Sequence, residues 1–397
     1  MKRITGLLLC SVLISGTAVL TACPFCDAPS LTLAEQIDQA GHLLLGRWKG
    51  GEKPTNESAG TAAFEIVSIG KSKGDAFHVG ETIELPQYIA GDEKALYILM
   101  GPETRLIDWQ VPVEATESSW DYISRMPMPK TEEAGKIERL AYFIDYLQHP
   151  ELIVSNDAYA EFASAPYEII TPLKDRFPRE KLRQWVMDAD TPVTRIGLYG
   201  LLLGLCGQEE DAVAMKDKIL HPDADFRLGI EGVMSGYLLI TGEEGLRVLE
   251  ESKMMSRTYV DKDGNEKKLP FSETYAAMQT LRFMWTYEPD RLPKERLKES
   301  MRTLLSRPEL ADLVIADLAR WKDWGVQDRL MEMYDQEEFD IPSIKRAVVR
   351  YLIYCNKDVE EGSEDLPEYA VTAAKHLEVL EEKDPKTVRD ARRFLIR

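Results

Sequence analysis

The chain is poor in the residue types that carry most catalytic and metal chemistry. Its 397 residues include five cysteines and five histidines, and the histidines are far apart, at His42, His78, His149, His221 and His376. The sequence has no Gly-x-Ser-x-Gly elbow, His-Glu-x-x-His motif, complete phosphate-binding loop or dinucleotide fingerprint. These absences argue against the common hydrolases, metalloproteases and nucleotide-binding enzymes. We therefore expect a non-enzymatic protein with no cofactor and no metal.

Positive charge is also scarce. Lysine and arginine number 49 against 68 acidic residues, which gives a formal net charge of −19. Such a surface repels phosphate backbones, so we expect no nucleic-acid partner. Beyond the N-terminus, the apolar run 196–206 is too short to span a bilayer.

The first 22 residues resemble a secretory signal peptide. Lys2 and Arg3 precede an apolar stretch, and Leu20-Thr-Ala-Cys23 fits the bacterial lipobox, in which the cysteine is lipidated after cleavage. A competing cut after Ala18 would leave Cys23 free. We expect an exported bacterial protein of the periplasm or outer envelope, whose membrane contact is an N-terminal lipid anchor.

Residues 23–30 form a predicted tether that contains Cys23-Pro-Phe-Cys26. A Cys-x-x-Cys pair can form a disulfide, exchange disulfides or supply half of a zinc site. A thioredoxin-like centre should follow a strand, and a zinc site needs a second pair, whereas Cys206 and Cys355 are single. Lipidation of Cys23 or a structural Cys23–Cys26 disulfide is therefore favoured over redox or metal work.

Residues 31–113 predict a small β-domain of five strands. The strand patterns are short apolar runs separated by Gly, Pro and Asn, at His42–Trp48, Thr61–Ser68, Glu81–Leu85, Ala95–Met100 and Leu106–Val111. A short helix is predicted before them. Val79-Gly80, Ile83-Glu-Leu85 and Tyr97-Ile-Leu99 resemble strands of the OB-like and netrin-like folds. That resemblance implies a closed or half-closed barrel, and polar residues 114–130 are predicted to be a linker.

An internal repeat marks the helical region, residues 131–397. Arg195-Ile-Gly-Leu-Tyr-Gly-Leu-Leu-Leu-Gly204 returns 32 residues later as Arg227-Leu-Gly-Ile-Glu-Gly-Val-Met-Ser-Gly236. Each glycine costs a helix about 1 kcal/mol relative to alanine, so another interaction must offset the loss. The repeated glycines either allow close helix packing, which we favour, or form the floor of a ligand groove; they are Gly197, Gly200, Gly204, Gly229, Gly232 and Gly236.

The remaining helical region predicts further helix pairs. A β-hairpin insertion is predicted at 256–271, where Asp263-Gly264 favours a tight turn. Pro308 and Pro342 begin equivalent helices 34 residues apart. The region resembles HEAT-like α-solenoids with five or six divergent helix pairs, a resemblance that implies a scaffold for binding proteins.

The complete layout resembles a group of uncharacterised bacterial envelope proteins with a small β-domain followed by HEAT-like repeats. Our sequence-based hypothesis is a protein-interaction scaffold of the cell envelope whose protein partner is unknown. The alternative hypothesis is a thiol–disulfide or metal-handling protein that acts through Cys23 and Cys26.

Overall fold

The computed structural model describes residues 23–26, 31–56, 58–102, 109–224, 226–360 and 365–393. The predicted signal peptide, residues 1–22, and residues 27–30 of the predicted tether lie outside this part. Within the described residues the protein is mainly helical, and a five-stranded sheet lies near the N-terminus. The strands are β1 His42–Gly50, β2 Ala62–Lys71, β3 Thr82–Leu85, β4 Leu96–Gly101, β5 Val113–Ala115, β6 Thr258–Val260 and β7 Glu266–Lys268.

The α-helices begin at α1 Leu33–Gln39, before the sheet, and continue from the end of β5 to residue 393. Proline stands at or directly before the start of many of them, where its fixed φ suits the first helical turn and its missing N–H costs nothing. The helices are α2 Glu117–Arg125, α3 Glu133–Tyr142, α4 Leu152–Ser164, α5 Tyr167–Ile170, α6 Arg179–Met187, α7 Val193–Cys206, α8 Glu209–Leu220, α9 Ile230–Thr241, α10 Glu243–Leu249, α11 Phe271–Tyr287, α12 Lys294–Thr303, α13 Ala311–Arg320, α14 Gln327–Tyr334, α15 Pro342–Lys357, α16 Glu368–Lys383 and α17 Pro385–Arg393. No helix among the described residues is long and apolar enough to cross a membrane.

The N-terminal sheet is antiparallel and open. Its strand order is β3-β2-β1-β4-β5, so β3 and β5 are edge strands in the described part of the chain. We expected a closed or half-closed barrel, and closure would require pairing between those edges. The predicted fifth strand, Leu106–Val111, is not a strand where it is described, at 109–111, and residues 103–108 lie outside the described residues. The fifth strand is Val113–Ala115, which pairs with β4.

The two faces of the sheet are buried against different partners. Alternate residues of a strand point to opposite faces. One face belongs to the large core of the helical region, through Leu43, Leu45, Ile98 and Met100. The other face packs beneath the loops after β2 and β4 and forms a second core that includes Leu44, Phe64, Ile66, Phe77 and Leu99. Burial on both faces explains the continuous apolar runs Leu43–Leu45 of β1 and Leu96–Met100 of β4.

The predicted linker at 114–130 contains a helix, α2. Thr116 caps it by accepting hydrogen bonds from the amides of Ser118 and Ser119, and the Ser119 hydroxyl accepts one from the Thr116 amide. The helix buries Tyr122, which is 1% exposed. These contacts make the segment a packed part of the fold that joins the sheet to the helices.

A buried carboxylate, Asp157 of α4, connects three helices. It accepts a hydrogen bond from the Tyr122 hydroxyl at 2.6 Å and one from the Leu33 amide at 2.7 Å, at the start of α1. Burial raises the pKa of Asp157 to about 6, although both hydrogen bonds act in the opposite direction. Nearby, Glu161 forms a two-bond ion pair with Arg139. The junction between α1, α2 and α4 therefore depends on the protonation state of Asp157.

Replacement of Asp157 by asparagine should change how stability varies with pH. The folded-state pKa is raised to about 6, so Asp157 contributes a stabilisation that is present below its unfolded pKa and is lost as the pH rises through about 6. Between pH 4 and pH 7, the free energy of unfolding of the wild type should fall relative to Asp157→Asn by about 2 kcal/mol. Urea denaturation of both proteins at each pH measures this difference. A difference that stays constant over the range would contradict the assignment.

Helices α7 and α9, which carry the repeated glycines, lie in backbone contact. A Cβ atom built on Gly204 would overlap Gly236, and one built on Gly236 would overlap the Gly200 carbonyl oxygen. A Cβ on Gly200 would lie 2.6 Å from the Val233 amide nitrogen. The backbone of the neighbouring helix fills the space beside Gly200, Gly204 and Gly236, as close packing requires.

Gly236→Ala should therefore destabilise the protein. Its Cβ would overlap rigid backbone of α7, and such overpacking costs about 1–3 kcal/mol, or more where neither helix can move. Because alanine favours a helix by about 1 kcal/mol over glycine, a local effect alone would be stabilising. We expect a net loss of about 2 kcal/mol in the free energy of unfolding, measured by urea denaturation.

Gly325→Ala is the matched control, because the nearest heavy atoms to its added Cβ are 3.8 Å away. It should be nearly neutral. A Gly236→Ala protein as stable as this control would show that α7 and α9 can separate at little cost.

A buried charge network fixes the end of α10 against α9 and α11. Glu273 accepts two hydrogen bonds from Arg227, at 2.8 and 2.7 Å, and one from Lys253 at 2.8 Å. Lys253 lies in a π-helical turn, Glu250–Met255, and is 1% exposed. Burial alone would raise the pKa of Glu273, but its two cationic partners hold that pKa below the usual range. Burial lowers the pKa of Lys253, and the neighbouring Glu273 carboxylate acts in the opposite direction.

The hairpin at 256–271 is present as β6 and β7, which pair from Thr258 with Lys268 to Val260 with Glu266. Gly264 has a φ of 82°, a conformation that glycine adopts without strain. The Asp261 carboxylate accepts hydrogen bonds from the Asp263 and Asn265 amides and so holds the turn.

Candidate functional site

A groove lies between α13 and α15, which pack side by side. Both helices turn apolar residues inward, among them Val314 and Leu318 of α13 and Val348 and Leu352 of α15, all 0% exposed. Their outer faces diverge around a cavity of about 1090 Å³. This volume is sufficient for several amino-acid side chains of a ligand.

The α13 side of the groove is largely apolar. Leu313 is 38% exposed, and Ala316 and Ala319 are half-buried beside it. Across the groove Tyr354 of α15 is 42% exposed. Large apolar and aromatic side chains that remain accessible within a concave surface are typical of binding sites.

The groove is positively charged although the protein as a whole is acidic. Its described lining has five basic side chains and two acidic ones, Asp312 and Asp358. Two of the basic side chains are neutralised: Arg320 pairs with Asp317 at 2.8 Å and Lys322 pairs with Asp358 at 2.5 Å. The other three are Arg346, Arg350 and Lys357.

These three cations of α15 form no ion pair with any other described residue. Arg346 and Arg350 are four residues apart and therefore share one helix face, as does Lys357 two turns further on. The Nε of Arg350 is buried and has no hydrogen-bond partner among the described residues. Like charges one turn apart are unfavourable, and a buried N–H without a partner costs about 1–3 kcal/mol. A bound anion would offset the repulsion between the two arginines.

The far end of the groove is closed by a hydrogen-bonded cluster. Asp358 accepts a hydrogen bond from Lys322 at 2.5 Å and one from the indole N–H of Trp324 at 2.8 Å, and its carbonyl accepts one from the Tyr369 hydroxyl at 2.6 Å. The hydrogen bond from Lys322 lowers the pKa of Asp358. Asp358 is therefore ionised and already paired, so it leaves the cations on α15 without a partner.

The two predicted site cysteines form a disulfide, Cys23–Cys26, and the loop that it closes is packed into the helical region. The Cys23 amide donates to the carbonyl of Ala163 at 3.1 Å, and the Phe25 ring lies 5.1 Å from the ring of Phe283. The Phe25 carbonyl faces Gly197, where a Cβ would approach to 2.7 Å. Residues 23–26 are thus docked against α4, α7 and α11, whereas we expected a tether.

The two other described cysteines are poorly suited to nucleophilic chemistry. Burial raises the pKa of Cys206 to about 11 and that of Cys355 to about 12. The thiolate is the reactive form, so both are almost entirely protonated and inert near neutral pH. No group of three or more His, Cys, Asp or Glu side chains in the described ranges could hold a metal ion.

Sequence reasoning did not identify the groove. Three aromatic residues near the groove, Trp321, Trp324 and Tyr334, differ in burial. Trp321 and Tyr334 are buried, and Trp321 stacks on Trp285 with ring centroids 4.3 Å apart. Trp324 is half-buried and lines the groove. The one available signal was the spacing of Arg346, Arg350 and Lys357 on a helix with no acidic residue between them.

The comparisons add no further assignment. No protein-family model, curated protein or solved structure matches the chain. The functional argument therefore depends on the geometry of the chain itself.

The covalent state of Cys23 is directly testable, because one sulfur cannot carry both a disulfide and a thioether-linked lipid. The mature N-terminal peptide from the native source should contain an oxidised Cys23–Cys26 pair. We expect its mass to rise by two hydrogens on reduction, and alkylation of both cysteines only after reduction. A diacylglyceryl adduct on Cys23 would contradict the disulfide.

Proposed function

We propose that this protein is a non-enzymatic scaffold of the bacterial cell envelope that binds a protein partner in the groove between α13 and α15. The observation that carries the proposal is a set of three cations, Arg346, Arg350 and Lys357, that have no ion-pair partner among the described residues and lie beside an accessible apolar wall. Solubility alone does not require such cations to be gathered at one groove.

The packing of the helices supports a HEAT-like solenoid as the architecture of this scaffold. The first helices of successive pairs lie side by side: α7 packs on α9, α9 on α11, and α13 on α15. Each second helix packs mainly on helices close to it in sequence. In such repeats a layer contacts its neighbours only, and the exposed helix faces are available to partners.

Export to the envelope is part of the proposal. It rests on the leader-like sequence 1–22, and a Cys23–Cys26 disulfide is suited to an oxidising compartment. Attachment to the membrane through a lipid on Cys23 is the alternative state of the same sulfur.

The competing hypothesis, thiol–disulfide exchange or metal handling through Cys23 and Cys26, has weaker support. Exchange requires an attacking thiolate to reach a sulfur. Cys23 is 4% exposed, its amide is bonded to Ala163, and Phe25 packs on Phe283. Cys23 is thus shielded from attack, whereas Cys26 is half-buried.

Site-specific photo-crosslinking in the native envelope tests the proposed function. A photoreactive phenylalanine analogue at Tyr354, inside the groove, should give a discrete protein adduct. The same analogue at Val213 of α8, which is 67% exposed and outside the groove, is the control and should give none.

The adduct at position 354 should also be lost from a protein that carries Arg346→Glu and Arg350→Glu. An adduct that persists after charge reversal, or that forms equally at position 213, would argue against the groove as the binding surface.

A further inference from the structure

We propose that the groove between α13 and α15 recognises an extended peptide segment in which acidic and large apolar residues alternate. This inference rests on the proposed function and adds the chemistry of the partner. It follows from the difference between the two walls of the groove and from the spacing of the cations.

The α15 wall selects for carboxylates. Arg346, Arg350 and Lys357 have no acidic partner among the described residues. Guanidinium groups donate two parallel hydrogen bonds to a carboxylate, and such charge-assisted bonds are among the strongest in proteins.

The spacing of the two arginines fits alternate residues of an extended chain. Four helical residues separate Arg346 from Arg350, a rise of about 6 Å along α15. In an extended peptide, residues i and i+2 point to the same side and are about 6.6 Å apart. An acidic-x-acidic segment that runs along α15 can therefore place one carboxylate at each arginine.

The α13 wall favours apolar side chains at the peptide positions that alternate with the two acidic residues. Side chains at i+1 and i+3 of that peptide point away from α15 and toward Leu313, Ala316 and Ala319. Leu313 is 38% exposed, and the two alanines leave room for a larger side chain of the ligand. Burial of an apolar side chain at this wall contributes about 1.5–3 kcal/mol in transfer free energy, which a charged or sugar group would not provide.

A polyphosphate or nucleic acid fits this groove less well than a peptide. Its repeating charges would extend past α15 onto a surface with a formal net charge of −19 for the whole chain. It would also leave the α13 wall without an apolar contact. A short segment with two or three carboxylates needs only the local positive charge.

Fluorescence anisotropy with the full mature chain tests the proposal. The probe is a fluorescein-labelled peptide of alternating Glu and Phe, and its controls are a peptide with Gln in place of Glu and a block peptide in which the Glu residues precede the Phe residues. The alternating peptide should bind at least about tenfold more tightly than either control, since loss of a charge-assisted hydrogen bond has about that effect.

Two variants that lose the same number of positive charges show whether binding depends on the groove arginines or on the net charge of the protein. Arg346→Gln with Arg350→Gln should weaken binding of the alternating peptide by about tenfold or more. Arg125→Gln with Arg389→Gln changes the net charge equally on exposed positions of α2 and α17 and should leave binding unchanged. Neither groove arginine has an ion-pair partner in the described structure, whereas Arg125 pairs with Asp121 at 2.8 Å, so the Tm of the first variant should be no lower than that of the second.

Equal binding by the two variants, or equal binding of the alternating and block peptides, would overturn the proposal. Preferential binding of labelled polyphosphate, lost in the Arg346→Gln, Arg350→Gln protein, would also overturn it and would assign a phosphate ligand. If the peptide fails to bind but the arginine-dependent adduct at Tyr354 still forms, the ligand chemistry is wrong and the scaffold function stands. If the peptide does not bind and the adduct at position 354 does not form, both the peptide proposal and the proposed scaffold function are rejected.

Discussion

The close approach of α7 and α9 is the constraint on which the helical region depends. At Gly200, Gly204 and Gly236 the two backbones occupy the space that side chains would fill. Ser235, on the same helix as Gly236, then lies within 3.3 Å of the Thr280 hydroxyl of α11, so the contact extends to the next layer. The energy lost through glycine in each helix is regained as van der Waals contact between the helices.

The same contact positions the N-terminal disulfide loop. Gly197 leaves room for the carbonyl of Phe25, and the Phe25 ring reaches Phe283 of α11. A side chain at Gly197 would displace the loop from this position. One repeated sequence feature thus determines both how the helices stack and where the segment that follows the predicted leader is held.

Local patterns predicted the helices and most of the strands because each pattern reflects a nearby buried face. The repeat at Arg195 and Arg227, the helix starts near Pro308 and Pro342 and the hairpin turn at Gly264 all correspond to structure. The helix α2 was not predicted because most of its residues are polar and only one face, around Tyr122, is buried. The hydrogen-bond partner of Tyr122, Asp157, is 35 residues away in the sequence. The open edge of the sheet also depends on pairing that no local pattern specifies.

The groove could not be predicted because a cation without a partner is a property of the tertiary structure. Arg296 and Arg302 also lie on one helix, and they pair with Glu250 and Asp323, which come from other parts of the chain. With 68 acidic residues in the chain, the sequence does not indicate which arginines remain unpaired. The folded arrangement of α13 and α15 decides it.

The buried network of Arg227, Glu273 and Lys253 limits which substitutions the protein can tolerate at these three positions. Loss of Glu273 would leave two cations in the interior without a counter-charge, and removal of one partner of a buried ion pair typically costs about 3–5 kcal/mol. Related proteins should therefore retain all three residues or replace them together by apolar residues of similar volume. The positions 227, 253 and 273 would then vary as a single unit, and their joint variation would identify relatives that share this helical arrangement.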